Sequence, residues 1–358
     1  MQKTFPGAPS PAVGDLTFDV PTGEIVVLVG PSGCGKTTTL KMINRLIEPT
    51  GGTIEVFGTD IMSVSAPELR RGIGYVIQQI GLFPHRTIAA NIATVPRLNG
   101  WDKTRTRDRV EELVDLVGLD HSLLQRYPSE LSGGQQQRVG VARALAADPP
   151  ILLMDEPYSA VDPIVRARLQ DELIALQQRV QKTIVLVTHD IDEAIKLGDR
   201  VAILNVGGVL EQFAPPEELL RAPANDFVAS FLGRERGLKR LALVTVDDVA
   251  TIEGPVVELT ASPAEAESVM TKYGVSWIGI RDGEQLLGWT WASELAGLER
   301  VGDAPIERFQ AWVTPGTALR EALDVLLNSR TRVAVVVDDD NRYLGMLTVE
   351  QIAEGIES

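Results

Sequence analysis

The stretch Gly30-Pro31-Ser32-Gly33-Cys34-Gly35-Lys36-Thr37 decides how the chain folds. It follows the apolar run Ile25–Val29 and precedes residues 38–47, where apolar side chains recur at helical spacing. Strand, glycine-rich loop and helix in this order are the context in which the pattern G-x-x-x-x-G-K-S/T forms a P-loop, the loop that cradles nucleotide phosphates. A glycine-rich turn before an ordinary helix is the alternative, but such a turn would match the full pattern only by chance.

The residue types of this loop suit phosphate groups. Glycines let the backbone N–H groups turn inward as an anion nest, and the positive end of the next helix lies behind them. Lys36 adds positive charge for the β- and γ-phosphates, and the Thr37 hydroxyl can ligate Mg²⁺. The residues that we predict to contact a nucleotide here are Ser32, Gly33, Cys34, Gly35, Lys36, Thr37 and Thr38.

Composition restricts the functions open to the chain. Its 358 residues suffice for two or three domains, 44% of them are hydrophobic, and the formal net charge is −15. This acidity argues against nucleic acid as a partner, because a nucleic-acid surface needs basic patches. The single cysteine, Cys34, excludes an intramolecular disulfide. Residues 1–11 show no signal peptide, and no apolar run approaches the ~20 residues of a membrane span, so we expect a cytoplasmic protein whose membrane role comes through partners.

Predicted strands and helices alternate over the first two thirds of the chain. Strand patterns occur at residues 13–20, 53–57, 73–77, 151–154 and 184–188, with a hairpin at 201–204 and 209–210. Helical patterns occur within residues 87–127 and at 132–147 and 163–180. This alternation indicates an α/β fold with a parallel sheet covered on both faces, and a helical subdomain at about 87–147.

Two carboxylates, Asp155 and Glu156, end the apolar run at 151–154. Ligands of open α/β sheets bind at the carboxyl ends of the strands. An aspartate there can hold Mg²⁺ directly or through water, and a second carboxylate can polarise the water that attacks the γ-phosphate. An acidic turn after a buried strand is the alternative. With a P-loop in the same chain, we predict Asp155 as a metal ligand and Glu156 as a base.

A second glycine pair opens a helix at Leu131-Ser132-Gly133-Gly134-Gln135. Its N–H groups and the serine hydroxyl can form another anion site, although a serine N-cap followed by flexible glycines would have the same sequence. Because the chain already has a P-loop, a second phosphate site suggests a dimer that shares nucleotide. We therefore predict nucleotide contacts for Ser132, Gly133, Gly134 and Gln135.

From about residue 238 the sequence changes to a smaller, repeated pattern. Residues 257–295 and 313–352 each read as helix, strand, turn, strand and helix, which an internal duplication at a spacing of about sixty residues explains. The acidic turn at 338–340 favours a solvated hairpin over a calcium site. Trp289 and Trp291 alternate on a strand, which favours core packing over a ligand cage. Since these residues lack a second P-loop and paired catalytic carboxylates, we predict a regulatory role.

These motifs resemble those of ABC transporter ATPases, in the same order and over about residues 4–233. The resemblance implies a P-loop ABC-type ATPase at 1–236, with a mixed-sheet core and a helical subdomain. It also implies a homodimer that sandwiches two ATP molecules, each between one P-loop and the other chain's Ser132 motif. By position, Phe5 resembles the aromatic residue that stacks on adenine, and Gln78 resembles the glutamine that contacts Mg²⁺. Glu156 resembles the catalytic base, and His189 resembles the switch histidine that contacts the γ-phosphate. Asp162 resembles a residue of the dimer-interface loop.

Residues 41–49, 75–85, 192–197 and 231–238 are similar to the glycine betaine/carnitine/choline (osmoprotectant) importer branch of this family. Residues 237–358 resemble the tandem CBS motifs, a smaller α+β domain, that many of its members carry. The resemblance implies a subunit at the cytoplasmic face of the membrane, bound to permease subunits and, through them, working with an extracytoplasmic substrate-binding protein. An ABC ATPase for another solute, such as an amino acid, stays open. A soluble ABC ATPase of DNA repair or translation is disfavoured by the acidity and by the lack of coiled-coil insertions or a second cassette.

Two departures from the family pattern affect the ligand assignments. The family has a further strand before the adenine-stacking aromatic, whereas Phe5 lies four residues after Met1. CBS pairs that bind adenosine nucleotides place an aspartate three residues after a Thr or Ser. Here Gln351 follows Thr348 at that spacing, and the first repeat has Trp291 and Glu294. A cyclic dinucleotide or ionic strength is therefore favoured over AMP or ATP as the regulator of 237–358.

Overall fold

The structure is a computed structural model that describes residues 1–78, 81–159 and 161–357. The chain divides into two compact units, unit 1 at Met1–Gly233 and unit 2 at Arg234–Ser358. In the part of the chain that the structure describes, no helix is both long enough and apolar enough to cross a lipid bilayer.

Unit 1 contains the strands β1 (Ile25–Val29), β2 (Glu55–Val56), β3 (Thr59–Asp60), β4 (Ile73–Val76), β5 (Ile151–Asp155), β6 (Thr183–Val187), β7 (Arg200–Asn205) and β8 (Val209–Ala214). Its α-helices are α1 (Lys36–Ile43), α2 (Ala66–Arg71), α3 (Ile88–Ile92), α4 (Thr94–Leu98), α5 (Lys103–Leu116), α6 (Gly133–Leu145), α7 (Pro163–Val180), α8 (Ile191–Leu197), α9 (Pro216–Arg221) and α10 (Asp226–Leu232). Short 3-10 helices lie at His121–Gln125 and Pro128–Glu130.

A six-stranded sheet in the order β4-β5-β6-β1-β7-β8 forms the centre of unit 1. Its strands run parallel from β4 to β7, and β8 pairs antiparallel with β7. Every residue of β1, β5 and β6 is buried, as expected for strands covered on both faces. Because the parallel strands end at one edge, the segments after β4, β5, β6 and β1 converge there.

Two strand predictions in unit 1 need correction. Residues 13–20 form no strand, and Val13 pairs only through an isolated bridge with Lys3. Val13 and Leu16 are nevertheless fully buried, so the apolar spacing reflects an irregular segment that packs on the core. The strand predicted at 53–57 is reduced to β2, which pairs with β3 in a two-stranded hairpin. The sheet is parallel from β4 to β7, as the alternation of strands and helices predicts. The predicted hairpin adds β8 antiparallel at its edge, which confirms the mixed sheet that the family resemblance implies.

Unit 2 contains α11 (Arg236–Arg240), β9 (Val256–Glu258), α12 (Pro263–Tyr273), β10 (Trp277–Asp282), β11 (Gln285–Trp291), β12 (Trp312–Val313), α13 (Leu319–Leu327), β13 (Ala334–Val337), β14 (Tyr343–Leu347) and α14 (Val349–Glu357). Two three-stranded sheets, β11-β10-β9 and β12-β13-β14, each combine one parallel and one antiparallel pair. The sheets thus repeat one pattern. The helix predicted to close the first repeat is a short 3-10 helix, Ala292–Leu295, whereas α14 closes the second.

Aromatic side chains fill part of the core of unit 2. The rings of Trp277 and Trp289 meet edge to face at 6.3 Å, and Trp277 meets Phe309 in the same way at 5.7 Å. All three are buried, and Trp291 packs against Trp289 at 4.8 Å. The alternating tryptophans therefore serve packing. At the acidic turn, Asp338 accepts backbone N–H groups within its own hairpin, and no described group of three or more His, Cys, Asp or Glu residues is arranged to hold a metal ion.

Candidate functional site

The P-loop takes its shape from glycines in the left-handed region of backbone space. Gly33 has φ 81° and Gly35 has φ 92°, values that residues with a Cβ rarely adopt. At Gly35 a Cβ would also lie 2.5 Å from the carbonyl oxygen of Ala12. Lys36 begins α1 directly after this turn. The loop therefore needs glycine at this position both for its conformation and for the close approach of the neighbouring backbone.

The ammonium group of Lys36 lies inside the loop. Its Nζ donates to the Gly30 carbonyl at 2.7 Å and to the Pro31 carbonyl at 3.1 Å, and it contacts Cys34 Sγ at 3.5 Å. The Lys36 residue is only 7% exposed, and Cys34 is fully buried. Cys34 thus packs within the loop, and the carbonyl groups of the loop hold the Lys36 ammonium group at its centre.

Thr37 and Asp155 meet although they are far apart in the sequence. Thr37 Oγ1 donates to Asp155 Oδ1 at 2.8 Å, and Tyr75 Oη lies 3.5 Å from Asp155 Oδ2. Burial raises the pKa of Asp155, while the hydrogen bond from Thr37 and the positive charge of Lys41 oppose this rise. The hydroxyl and the carboxylate together offer the oxygen ligands that Mg²⁺ prefers.

Glu156 is held by side chains from two other segments. Gln78 Nε2 donates to Glu156 Oε2 at 3.0 Å, and His189 Nδ1 lies 3.3 Å from Glu156 Oε1. The backbone of Glu156 has φ 45°, and its N–H donates to the Val187 carbonyl at 2.9 Å, which ties the end of β5 to β6. Strained backbone of this kind costs on the order of 1–3 kcal/mol and concentrates at functional sites.

A cavity of about 480 Å³ opens in front of these groups, a volume suited to a small ligand. We call it the P-loop cavity, and its lining is Ala12, Ser32, Gly33, Gly35, Lys36, Thr37, Thr38, Glu156 and His189. Phe5 is not among these residues. It is 38% exposed, with Lys3 Nζ 5.3 Å from the centre of its ring. Adenine stacking by Phe5 therefore stays a prediction.

The Ser132 motif lies at the start of α6 in the helical part of unit 1. Ser132 is the N-cap, since its Oγ accepts the Gln135 N–H at 3.3 Å and the Gln135 side chain accepts the Ser132 N–H at 2.9 Å. Gly133 and Gly134 are the first residues of the helix. The motif is not part of the P-loop cavity of its own chain. The N-cap alternative thus holds within one chain, and a contact with nucleotide would require another copy.

Similarity to known proteins identifies the family. The ABC transporter family model matches residues 13–159, and the CBS domain model matches 302–358. The chain is 48% identical to the osmoprotectant import ATP-binding protein OsmV of Salmonella typhimurium, over 98% of this chain and 93% of that protein. The chain belongs to the osmoprotectant branch of the ABC transporter ATP-binding subunits. This ATPase subunit accordingly binds and hydrolyses ATP and works with membrane-embedded partners.

Further relatives agree with this assignment. The glycine betaine/carnitine/choline transport ATP-binding protein OpuCA of Bacillus subtilis is 44% identical, over 97% of this chain and 92% of that protein. Among solved structures, the dimeric post-hydrolysis state of the ATP-binding cassette MJ0796 bound to ADP and Pi superposes with a TM-score of 0.54 at 33% identity. The superposition covers 60% of the present chain and 96% of the MJ0796 chain. The predicted family, fold class and enzyme class are confirmed.

Three residues near the site of this ATPase subunit were not predicted from the sequence. Ala12 lines the P-loop cavity, and Tyr75 contacts Asp155. Glu193 is buried on α8, and burial raises its pKa to about 7. Tyr75 on β4 carries a weak signal, because that strand runs parallel to β5 and ends at the same edge of the sheet as Asp155. Glu193 carries none, because an acidic residue in the first turn of a short helix usually faces solvent.

Proposed function

We propose that this ATPase subunit powers a membrane importer of quaternary-amine osmoprotectants such as glycine betaine, carnitine or choline. The observation that carries the proposal is identity of 44–48%, over nearly the whole chain and including unit 2, to relatives that bear those names. The residues of this chain account for the ATPase reaction. The choice of solute rests on the relatives, because the permease and binding-protein subunits contact the solute.

In the proposed reaction the P-loop holds the phosphate groups of ATP. The residues that support this role are Ser32, Gly33, Cys34, Gly35, Lys36, Thr37 and Thr38, most of which line the P-loop cavity. Their N–H groups and the α1 N-terminus favour negative charge. Lys36 Nζ already lies within the loop, where phosphate oxygens can replace its contacts with the carbonyls of Gly30 and Pro31.

The oxygen groups at the edge of the cavity fit Mg²⁺. Thr37 Oγ1 and Asp155 Oδ1 lie 2.8 Å apart, and Asp155 is almost fully buried, so a cation there would meet a hydroxyl and a carboxylate at once. We assign Thr37, Gln78 and Asp155 as its ligands, with Asp155 bound directly or through water. When bound, Mg²⁺ neutralises negative charge on the phosphate oxygens.

Glu156 is the proposed general base. Its carboxylate accepts a proton from the attacking water while the water oxygen bonds to the γ-phosphorus. The bond between that phosphorus and the β–γ bridging oxygen breaks, and the products are ADP and inorganic phosphate. The contacts from Gln78 and His189 fix the direction of both carboxylate oxygens, and His189 also lines the cavity, where it can contact the γ-phosphate. The three residues proposed to act in catalysis, Glu156, His189 and Gln78, thus form one connected group.

Two copies of the chain complete each site in this proposal. Ser132, Gly133, Gly134 and Gln135 of one copy contact the nucleotide held by the P-loop of the other. Their capping hydrogen bonds support this, because they keep the N-terminus of α6 intact and hold two glycines at its exposed start. Asp162 caps α7 through the Ile164 and Val165 N–H groups and shapes the loop assigned to the dimer interface. Phe5 stacks on adenine.

The remaining assignments concern location and regulation. We place the subunit at the cytoplasmic face of the membrane, bound to permease subunits that receive solute from an extracytoplasmic substrate-binding protein. Residues 237–358 regulate hydrolysis in response to ionic strength or a cyclic dinucleotide. Unit 2 supports a non-catalytic role, because Thr348 Oγ1 donates to Gln351 Oε1 at 2.6 Å and both side chains are thereby used within their own turn.

Transport into vesicles tests the choice of solute. The subunit is co-assembled with its permease subunits in vesicles, and ATP-dependent uptake of labelled glycine betaine, carnitine, choline and glutamine is measured. We expect uptake of at least one quaternary amine, no glutamine uptake, and loss of uptake with the Lys36→Ala subunit. Glutamine uptake without quaternary-amine uptake would assign the subunit to an amino-acid importer.

A further inference from the structure

Glu193 is a buried carboxyl group that the proposed reaction does not use. It lies on α8 and is 5% exposed. Among the described residues, its Oε1 has no hydrogen-bond partner. An ionised carboxylate in this position would lose its hydration without a full replacement, which is costly. A neutral carboxyl group pays less for the same burial, so this environment favours the protonated form.

Three functional segments meet around Glu193. The first is the His189 loop, where Asp190 caps α8 by accepting the Asp192 and Glu193 N–H groups at 2.9 and 3.3 Å. The Asp190 N–H in turn donates to Thr188 Oγ1 at 3.1 Å. His189 lies between these two residues, so the contacts that start α8 also fix the backbone on either side of His189.

The second segment is the stretch directly after Glu156, and the third is the start of α7 after Asp162. Tyr158 is buried two residues after Glu156, and burial raises its pKa, with a further contribution from the Glu193 carboxyl group. Arg166, on α7, donates through Nη2 to the Val161 carbonyl at 3.1 Å and lies 3.7 Å from Asp190 Oδ2. Glu193 is thus next to the catalytic base segment and to the interface loop as well as to the His189 loop.

Three charged groups act on Glu193: the carboxylates of Asp190 and Glu156 and the guanidinium of Arg166. Burial raises the pKa of Glu193 to about 7, and the Asp190 and Glu156 carboxylates act in the same direction. Hydrogen bonding with the Thr188 side chain and the positive charge of Arg166 oppose the rise. Arg166 is already shared between Asp190 and Val161, and its Nε is buried without a partner among the described residues.

We propose that Glu193 is a positioning residue for ATP hydrolysis, which in its protonated form keeps the His189 loop, the segment after Glu156 and the start of α7 in the arrangement the reaction needs. Ionisation of Glu193 places a second carboxylate beside Asp190 and draws Arg166 Nε toward it. Arg166 then leaves Asp190 and the Val161 carbonyl, and the α8 cap and the interface loop loosen together. This inference rests on the proposed roles of Glu156 and His189.

The pH dependence of hydrolysis by the full-length chain tests this role. In Glu193→Gln an amide of the same shape stays neutral at every pH. We expect its kcat at pH 6.5 to be within about twofold of the parent value. The parent kcat, divided by that of the variant, should fall about tenfold by pH 8.5, with a midpoint near 7. KM for ATP should change by less than about twofold, because Glu193 does not line the P-loop cavity.

Asp192→Asn is the matched control, because it makes the same chemical change one position earlier on the exposed face of α8. Its pH profile should run parallel to that of the parent. Parallel profiles for parent and Glu193→Gln would overturn the proposal, and so would loss of kcat in Glu193→Gln at every pH. If that variant does not fold, NMR titration of ¹³C-glutamate in the parent decides, and a Glu193 carboxyl that titrates below about 5 would overturn it.

The Glu156→Gln variant separates failure of this inference from failure of the proposed function. If Glu156→Gln hydrolyses ATP like the parent, the assigned base is wrong and the reason for positioning it disappears. If Glu156→Gln is inactive while the Glu193→Gln and parent profiles stay parallel, the reaction stands and only the role of Glu193 is refuted.

Discussion

The P-loop cavity of unit 1 and the paired sheets of unit 2 use polar side chains in different ways. At the cavity, polar groups distant in sequence contact each other, as Thr37 contacts Asp155 and Gln78 contacts Glu156. In unit 2, Thr348 and Gln351 stand where nucleotide-binding CBS pairs hold a ribose, and their side chains bond to each other within one turn. Long-range convergence places reactive groups with the precision that catalysis needs, whereas local pairs stabilise a turn. This contrast predicts that the chemistry is confined to unit 1, and the following variants test that prediction.

The largest effect is expected from replacing Glu156, whose carboxylate contacts both Gln78 and His189. Glu156→Gln should lower steady-state ATP hydrolysis by roughly 10²–10⁴-fold, because the attacking water loses its proton acceptor. ATP binding should persist, since Lys36 and the loop glycines are unchanged. Phosphate release and equilibrium binding of a fluorescent ATP analogue measure the two properties. Glu55→Gln, an exposed change on β2, is the control, and a Glu156→Gln rate at half the parent value would show that Glu156 is not the base.

Mixing two inactive variants tests whether the site is shared between copies. Lys36→Ala removes the phosphate cation, and Ser132→Arg blocks the exposed start of α6. A heterodimer of the two has one intact site, so hydrolysis should recover to at most about a quarter of the parent rate in an equimolar mixture of independently acting sites. Mixing Lys36→Ala with the Lys36→Ala/Ser132→Arg double variant should give no recovery. Heterodimers that form without activity would contradict a composite site.

Local motifs account for what the sequence could predict. The P-loop, the apolar strand at 151–154 and the helix at 163–180 each carry their signal within a few residues. For α7, Asp162 caps the first turn and Pro163 is its first residue, so the predicted start coincides with the observed one. The convergence of Gln78, Glu156 and His189 was available only through the order of strands and the family resemblance.

Tertiary packing explains what the sequence could not predict. Residues 13–20 alternate like a strand, yet Val13 and Leu16 are buried from an irregular segment, because the core accepts apolar side chains from any backbone that reaches it. The first repeat of unit 2 ends in a 3-10 helix at Ala292–Leu295, where local periodicity alone suggested an α-helix. Glu193 is buried by neighbours on other segments, which no local pattern reports.

Replacing the buried acid should change stability in a pH-dependent way. The pKa of Glu193 is raised from an ordinary 4.5 to about 7, so the folded state holds this proton more tightly than the unfolded state does. Stability from this group is therefore fully present below about pH 4.5 and is lost as pH rises to about 7. At pH 8, Glu193→Gln should exceed the parent in stability by about 2–3 kcal/mol, and at pH 4.5 the two should agree.

Thermal melting at pH 5 and pH 8 measures this difference. A gain of about 2–3 kcal/mol corresponds to roughly 4–12 °C in Tm for a unit of this size. Asp192→Asn should show no comparable change between the two pH values, since its side chain is exposed. An equal Tm difference between Glu193→Gln and the parent at both pH values would mean that the Glu193 carboxyl group does not titrate in this range.

The smallest effect on catalysis is expected from removing unit 2. The chain truncated after Gly233 keeps Thr37, Asp155, Glu156 and His189 with all of their contacts, which lie within unit 1. Hydrolysis by the truncated subunit assembled with its permease should stay within about twofold of the parent at constant salt. What should disappear is the response to regulators. The Debye length falls from about 10 Å at 0.1 M salt to about 3 Å at 1 M, so added salt weakens interactions between exposed charges. We assign the response to ionic strength to the exposed charges of unit 2, and a chain without unit 2 should therefore lose that response.

Two measurements separate regulation from catalysis in that experiment. Hydrolysis is recorded over a range of salt concentrations, and then at constant salt with an added cyclic dinucleotide, for the full-length and truncated subunits. Loss of hydrolysis in a truncated subunit that still folds and assembles would make unit 2 part of the catalytic machinery. Tight binding of AMP to the full-length chain that is abolished by truncation would instead show that Thr348 and Gln351 open their local pair to hold a ribose. Both units would then bind nucleotides, and they would differ only in which nucleotide they bind and how tightly.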